Sequence, residues 1–539
     1  MSIRFEDIRR AVIGEGQSIP GPFGPRPMLY ADYVASGRSL GFIEDAVRAH
    51  VLPFYGNTHT ETSFSGRNST RLREMARRAV RRATGADDGH AVIFTGSGTT
   101  AAADKLIRAL SMNGLAGDAV VFVGPYEHHS NDLPWRECGA LVERIPLDAQ
   151  GGIDIAVLAE RLAAHQGRAL RIGAFSAASN VTGVMTDLRA IAKLLHDHDA
   201  WCIADFAAAA PYIPMNLAES VPGAGDRIDA AFISTHKFVG GPGASGLLIC
   251  DRRLLDLPRP TISGGGTVSY VTASAHRYVT DPERREEAGT PAIVGDIRAG
   301  MVMELKHSFG AEAITRGEAA MTERMEHGLR AIPGLELLGP ANRPRVGIFS
   351  FNIRIGDRVL HHNDVVALLN DIFGIQARGG CSCAGPYGHT LLDLDDARTS
   401  QHEAAVALGD SAFRPGWARL GVNWFFSDQD VDRILAALGF IARHGLDLLP
   451  LYHLDVRAGV WRANRLVDET PPATLADLWT RKAPDHGPAP DFDTVMAEAE
   501  ALVAEARDLP IPGIQPLPPE EEALRWFWMP HEARKEARA

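Results

Sequence analysis

Lysine is scarce in this chain of 539 residues, and the scarcity narrows any chemistry built on an amine. Only Lys105, Lys193, Lys237, Lys306, Lys482 and Lys535 are present. Lys105, Lys193 and Lys306 fall within helical patterns, and Lys482 and Lys535 within a charged tail. Lys237 ends an apolar run in "DAAFISTHKFVGGPGASGLLI", with Ser234 and His236 before it and a glycine-rich loop after. A lysine at the end of a buried strand, beside a histidine, is suited to a depressed amine pKa and to covalent capture of a carbonyl. In "VIFTGSGTTAAADKL", Gly98, Thr99 and Thr100 open a helix after a strand. Backbone N–H groups, hydroxyls and the helix dipole favour an anion there, although such a turn also serves as a plain tight connection. The spacing is neither Walker A nor G-x-G-x-x-G, so a phosphate monoester is indicated rather than a nucleotide. Asp205 directly follows the apolar run "WCIAD". It reads either as a helix N-cap or as a carboxylate facing a cationic ring nitrogen. A lysine for an aldehyde, a carboxylate for a pyridinium and a phosphate cup together imply pyridoxal 5'-phosphate.

A second group of residues carries sulfur. "ARGGCSCAGPYG" sets Cys381 and Cys383 two apart in a glycine-rich segment, where an exposed and mobile position is expected. A nucleophilic thiolate needs access and a lowered pKa, and flanking glycines would let it swing toward a substrate. The bland readings are a structural pair of thiols or half of a metal site. His128 and His129 in "EHHSN" lack CxxC or HExxH company, so no metal site is expected.

These residues need elements to hold them. Short apolar runs at 91–95, 118–123, 171–177, 201–205, 229–235 and 245–250 alternate with helix-length segments such as "TAAADKLIRALSM" and "DLRAIAKLLHDHD". Strand–helix alternation predicts an α/β fold with a mostly parallel sheet covered by helices. On such a sheet, ligands sit beyond the carboxyl ends of the strands, which is where Asp205 and Lys237 fall. After residue 300 the pattern changes to a long helical stretch near 295–331, the strand "RVGIFSFNIR", a helix at "HNDVVALLNDIF" and the cysteine loop. The expected organisation is an N-terminal segment (1–40) packing with the small domain, a large domain (41–300), a small α+β domain with the cysteine loop (301–450) and a Pro-rich, partly helical extension (451–539). The aromatics of "LRWFWMP" imply that the extension packs on something. Seven arginines between Arg67 and Arg82 read as a solvated helix face, or else as a dock for an acidic partner, which the resemblance given below would make a sulfur acceptor.

Composition sets the outer bounds. A formal net charge of -12 argues against nucleic acid as a partner. No apolar run approaches the roughly 20 residues of a membrane span, and the charged start "MSIRFEDIRR" has no secretory h-region. Five cysteines in so long a chain make no disulfide framework, so a reducing, cytoplasmic setting is expected.

The quoted motifs carry a resemblance. With "YADYVASGR", "SNVTGV", "SGGGTV" and "EEAGTP", they make the stretch from Tyr30 to Ile434 resemble class V aminotransferase-like enzymes of fold-type I. It looks most like cysteine desulfurases of the selenocysteine-lyase type and the sulfurase domain of molybdenum-cofactor sulfurases. The resemblance implies that Lys237 carries the cofactor, Asp205 faces its ring nitrogen and His128 stacks on its ring. Asn180 would lie near the ring hydroxyl and substrate, and Gly98, Thr99, Thr100, Ser234 and His236 would hold the phosphate. Thr290 would reach the phosphate of a neighbouring subunit, hence a homodimer. Arg419 would bind the substrate carboxylate, its planar guanidinium being suited to that. By motif register Cys383 is the catalytic cysteine, with Cys381 the second candidate thiol. Ala208 replaces a glutamine found in many members, a departure shared with cofactor-sulfurase-like sequences. The implied reaction takes L-cysteine to L-alanine with a persulfide left on the loop. Another class V reaction on a small amino acid (C–S lyase, selenocysteine lyase, epimerase or transaminase) and a non-catalytic sulfur relay or scaffold are the alternatives.

Overall fold

The computed structural model describes residues 3–112, 117–467, 472–480 and 486–533. Lys482 and Lys535 lie outside them. Seven strands form the main sheet: β1 (His90–Gly96), β2 (Ala119–Val123), β3 (Leu141–Arg144), β4 (Leu170–Ser176), β5 (Trp201–Asp205), β6 (Ala230–Ile233) and β7 (Gly246–Asp251). Their order across the sheet is β1-β7-β6-β5-β4-β2-β3. Pairing is parallel from β6 to β3, and β7 runs antiparallel to both β1 and β6. Every residue of β2, β6 and β7 is buried, as the unbroken apolar runs require when helices cover both faces.

Two long helices tie this sheet to the rest. α1 (Phe64–Thr84) starts on the Ser63 cap and stops at Gly85, whose φ of 61° ends the helix in the left-handed region. The glycine-rich turn opens α2 (Gly98–Met112). The helical stretch expected near 295–331 is two helices, α3 (Ile293–Phe309) and α4 (Ala311–Ala331), broken at Gly310 with φ 81°. The division expected at 300/301 therefore falls inside α3, which packs along α1 of the large domain.

The smaller unit has an antiparallel sheet of β8 (Leu335–Leu337), β9 (Ile348–Ile355), β10 (Arg378–Gly380) and β11 (Trp417–Gly421) in the order β8-β9-β11-β10. Helices α5 (His362–Phe373) and α6 (Asp428–Leu448) cover it. The N-terminal segment joins here: Leu29–Tyr30 pairs in parallel with Ile375–Gln376, and Arg9 bonds Asp430 at 2.7 Å.

The extension is part of the same core. Helix α7 (Phe492–Asp508) packs on α6, and Val495, Val503, Phe527 and Met529 are buried in one cluster with Phe351, Leu369 and Ile441. Trp528 N–H donates to the Val359 carbonyl (3.1 Å), and the Val359 N–H donates to that of Trp526 (3.2 Å). The helix Asp428–Leu448 with its last turn to Leu451 is long and apolar enough to cross a membrane, with a hydropathy of 1.5, so the composition reading missed one candidate. Its apolar residues, among them Val431, Ile434, Leu438 and Ile441, lie in the small-domain core.

The arginine-rich helix corrects another expectation. Arg73 and Arg77 are buried rather than solvated. Among the described residues the outer edge of β1 has no strand partner, and side chains replace one. Glu283 accepts from Val92 N–H and Glu287 from Phe94 N–H, both at 2.8 Å. Arg77 donates to the Val92 carbonyl and Arg81 to that of His90. The same carboxylates pair with the same arginines: Arg73 with Glu287 (2.5 Å) and Asp296 (2.6 Å), Arg77 with Glu287 (3.0 Å), Arg81 with Glu283 (2.6 Å). An exposed edge is a template for aggregation, and this network closes it.

Candidate active site

The carboxyl ends of five sheet strands meet at one cavity of about 470 Å³. β1 leads through Ser97 to Gly98, Thr99 and Thr100 at the start of α2. β2 leads to His128 and β4 to Asn180; β5 ends on Asp205, and β6 leads to Ser234, His236 and Lys237. The small domain supplies Arg419 from β11 and the turn after β10 with Cys381 and Cys383. All of these line the cavity, as does Ala208. Thr290 does not: it is exposed, 3.4 Å from Asn57 Nδ2.

The cup at α2 is built by close approach. Gly98 has φ 59°, and a Cβ there would come within 2.9 Å of His236 Cε1 and Ser234 Oγ. Thr99 N–H donates to Ser234 Oγ (3.1 Å), and Thr100 Oγ1 and Ser130 Oγ share a hydrogen bond of 2.7 Å. Hydroxyls, an imidazole and a helix N-terminus thus converge on a space that only glycine leaves open. Gly37 gives a similar approach on the other side: its N–H donates to the His236 carbonyl, and a Cβ would strike the Phe238 backbone.

Electrostatics divide the site into neutral and charged parts. Loss of hydration pushes the Lys237 amine down to about 8, with Asp205 opposing the shift. Burial raises the Asp205 carboxyl, while the Ala207 N–H (2.8 Å) and the charge of Lys237 pull it back toward the ionised form. Burial, reinforced by Lys237, drives His128 down to about 3, so its ring is neutral and its Nδ1 accepts from Ser130 N–H at 3.1 Å. Beneath it, burial lifts Glu127 to about 7; it accepts from Ser176 N–H and Oγ and from Asn131.

Arg419 and Arg378 face each other across β11 and β10. Such a like-charge pair is unfavourable unless neutralised, and Asp32 lies between them, 2.9 Å from Arg378 and 3.7 Å from Arg419. Arg419 is buried, donates to the Asn180 carbonyl (3.0 Å) and keeps Nε without a hydrogen-bond partner. Asn180 Oδ1 is likewise buried and unpartnered. Asp32, Arg378, Arg414 and Glu127 belong to the site and were not singled out in the sequence. Asp32 and Glu127 do stand inside quoted motifs, "YADYVASGR" and "EHHSN", so buried acids beside motif residues were the available signal.

The cysteine segment is a turn, not a free loop. Ala384 N–H donates to the Cys381 carbonyl (3.3 Å), and Ser382 and Cys383 both have φ 54°, the type I′ pattern. Glycine and asparagine are the usual occupants, and other residues there cost about 1–2 kcal/mol each. Three contacts from outside the segment reach the turn. Asn180 Nδ2 donates to the Ser382 carbonyl (2.7 Å), His129 N–H to that of Cys383 (2.9 Å), and Trp417 Nε1 to Ser382 Oγ (3.1 Å). Cys383 is exposed and Cys381 half-buried. No cluster of potential metal ligands occurs among the described residues.

Comparison with known proteins gives the family and the fold. The family model for aminotransferase class V matches residues 29–433. A probable cysteine desulfurase of Halalkalibacterium halodurans is 28% identical over 69% of this chain and 88% of its own. One from Halobacterium salinarum is also 28% identical, over 72% and 92%. Among solved structures, the apo cysteine desulfurase of Thermococcus onnurineus NA1 superposes with a TM-score of 0.65 at 25% identity, covering 77% of this chain and 95% of that one. The cysteine desulfurase CsdA of Escherichia coli shares the fold, with a TM-score of 0.62 at 23% identity over 81% and 98%. With its strand order, its cup at α2 and its lysine after β6, the chain belongs to the aminotransferase class V family of enzymes.

Proposed function

We propose that this protein is a pyridoxal-phosphate-dependent cysteine desulfurase that moves the sulfur of L-cysteine onto Cys383 and releases L-alanine. One observation carries the reading: the turn bearing Cys383 forms the wall of the same cavity as Lys237, Asp205 and Arg419. A lyase, an epimerase or a transaminase needs no thiol there.

The residues fit the cofactor. Gly98, Thr99, Thr100, Ser234 and His236 form a cradle that a Cβ at position 98 would fill, and it would take the phosphate. Asp205 would face the pyridinium nitrogen, His128 would offer a neutral ring for stacking, and Lys237 would supply the amine. When bound, pyridoxal phosphate supplies an aldehyde for amines and a ring that withdraws electron density from the substrate carbons.

The chain's own groups do the rest. Arg419, backed by Asp32 and locked to the Asn180 carbonyl, holds the substrate carboxylate. Lys237, with its amine near 8, removes the Cα proton and returns it later. The Cys383 thiolate attacks the substrate sulfur. A sulfur–sulfur bond forms, the carbon–sulfur bond breaks, and its electron pair stays with Cβ, which is then protonated. Alanine leaves, and Cys383 holds the persulfide for an acceptor. Lys237 and Arg419 line the same cavity as Cys383.

We also infer a homodimer in a reducing cytoplasm. Supporting the dimer, Leu52, Phe54, Tyr55 and Phe64 are exposed, as are Ile262, Tyr270 and Val271, and Thr290 is exposed beside Asn57. Five free cysteines fit the compartment. After exposure to L-cysteine, mass spectrometry of the 378–388 peptide should show one added sulfur on Cys383. Modification of neither cysteine, with pyruvate as product, would replace the desulfurase by a lyase.

A further inference from the structure

The turn Cys381–Ala384 adopts a conformation its own residues disfavour. Both central residues are in the left-handed region, yet neither is glycine or asparagine. Glycine does flank it: Gly380, with φ 125°, lets the chain leave β10, and Gly385 opens the following short helix. Left to itself, a segment of this composition would relax out of the turn. What holds it comes from elsewhere in the fold. The 128–131 segment of the large domain contributes His129 twice: its N–H donates to the Cys383 carbonyl at 2.9 Å, and its Nε2 accepts from Gly385 N–H at 3.3 Å. From β11, Trp417 is fully buried and donates Nε1 to Ser382 Oγ at 3.1 Å. His129 and Trp417 thus grip the turn on both sides of the thiol.

We propose that His129 and Trp417 are positioning residues of the sulfur-accepting thiol, holding the Cys381–Ala384 turn so that Cys383 is presented to the bound substrate at a fixed place. The role rests on the desulfurase reading above, and it makes the thiol a fixed nucleophile rather than one carried on a swinging loop. His129 and Ser382 are the positions to change. His129→Leu removes the acceptor for Gly385, and Ser382→Ala removes the partner of Trp417. His129→Gln keeps an acceptor oxygen near the place of Nε2.

The test uses the holoenzyme and two readouts. Hydrogen exchange of the 378–388 peptide should rise in His129→Leu and Ser382→Ala and stay at the parent level in His129→Gln. Alanine formation from L-cysteine should show kcat lowered about 10- to 100-fold in the first two variants, the scale expected for a misplaced nucleophile. KM should hold within about threefold, because neither substitution touches Arg419 or its hydrogen bond to the Asn180 carbonyl. The cofactor absorbance should be unchanged, and His129→Gln should recover most of kcat. Parent exchange and parent kcat in both clamp variants, with Cys383→Ala inactive, would overturn the positioning role and leave the desulfurase intact. If the parent enzyme itself makes no alanine, the desulfurase reading falls, and unchanged exchange in the variants then overturns the clamp as well.

Discussion

At the scale of single residues, the site depends on what is absent as much as on what is present. Gly98 is the clearest case. Its φ of 59° and the 2.9 Å approach of His236 and Ser234 leave no room for a side chain. Gly98→Ala should cut pyridoxal phosphate affinity by at least about tenfold, since about 1.4 kcal/mol of strain suffices. Titration by absorbance checks this, and an unchanged affinity would remove the cup from this turn. Lysine burial shows why position matters more than type. Lys306 is also pushed down by burial, to about 7, but its amine donates to the carbonyls of Ala210 and Ile213 and is occupied there. Lys237 has no such partner among the described hydrogen bonds and faces the cavity.

Among elements, the sheet edge gives the strongest test. Glu287 is buried against Arg73 and Arg77 and also completes the backbone of β1. The two arginines hold its carboxyl low despite burial. Glu287→Ala takes the shared counter-charge from two buried arginines, leaving Arg73 only Asp296, and the partner from the Phe94 N–H, and should lower unfolding stability by about 3–5 kcal/mol in urea titrations. A loss within about 0.5 kcal/mol, as for an ordinary surface change, would contradict the network. This is also where the sequence could be read and where it could not. Six strands of the main sheet were legible as apolar runs, while the edge strand β3, LVER and largely unburied, was not, and Asp205 and Lys237 were legible because they stand at the run ends. The Arg73–Glu287 pair is 214 residues apart, and Asp32 reaches Arg378 across 346. Such pairs exist only once the domains pack, so arginines that face a sheet edge look like a solvated stripe. The turn at Cys383 was hidden for another reason. Serine and cysteine carry no signal for positive φ, and only the clamp around them imposes it.

For the whole molecule, the extension decides stability. Val495, Val503, Phe527, Trp528 and Met529 are buried, each worth about 1.5–3 kcal/mol. Their sum rivals the roughly 5–15 kcal/mol by which a folded domain is stable. A chain ending at residue 485 should therefore aggregate or lose its cooperative transition in calorimetry; a soluble protein with parent stability would detach the extension from the core. The same region sets an acid limit. His361 lies under Phe527 in the core, its Nε2–H donating to the Ala412 carbonyl and its Nδ1 accepting from Asn363 N–H. Burial lowers its pKa from 6.5 to about 4. The unfolded chain then binds a proton that the folded one refuses, so its contribution is present above pH 6.5 and drains as pH falls toward 4. The slope from this one group should be about 1.4 kcal/mol per pH unit. His361→Gln should flatten the stability–pH curve in that window, and an unchanged slope would place the acid sensitivity elsewhere.

The central claim is that Cys383, held beside Lys237 and Arg419, takes sulfur from cysteine. Its most direct measurement is alanine formation from L-cysteine by the parent enzyme, Cys383→Ala and Cys381→Ala, each loaded with pyridoxal phosphate. The account predicts alanine from the parent and from Cys381→Ala, and none above background from Cys383→Ala. Parent-level turnover in Cys383→Ala would contradict it.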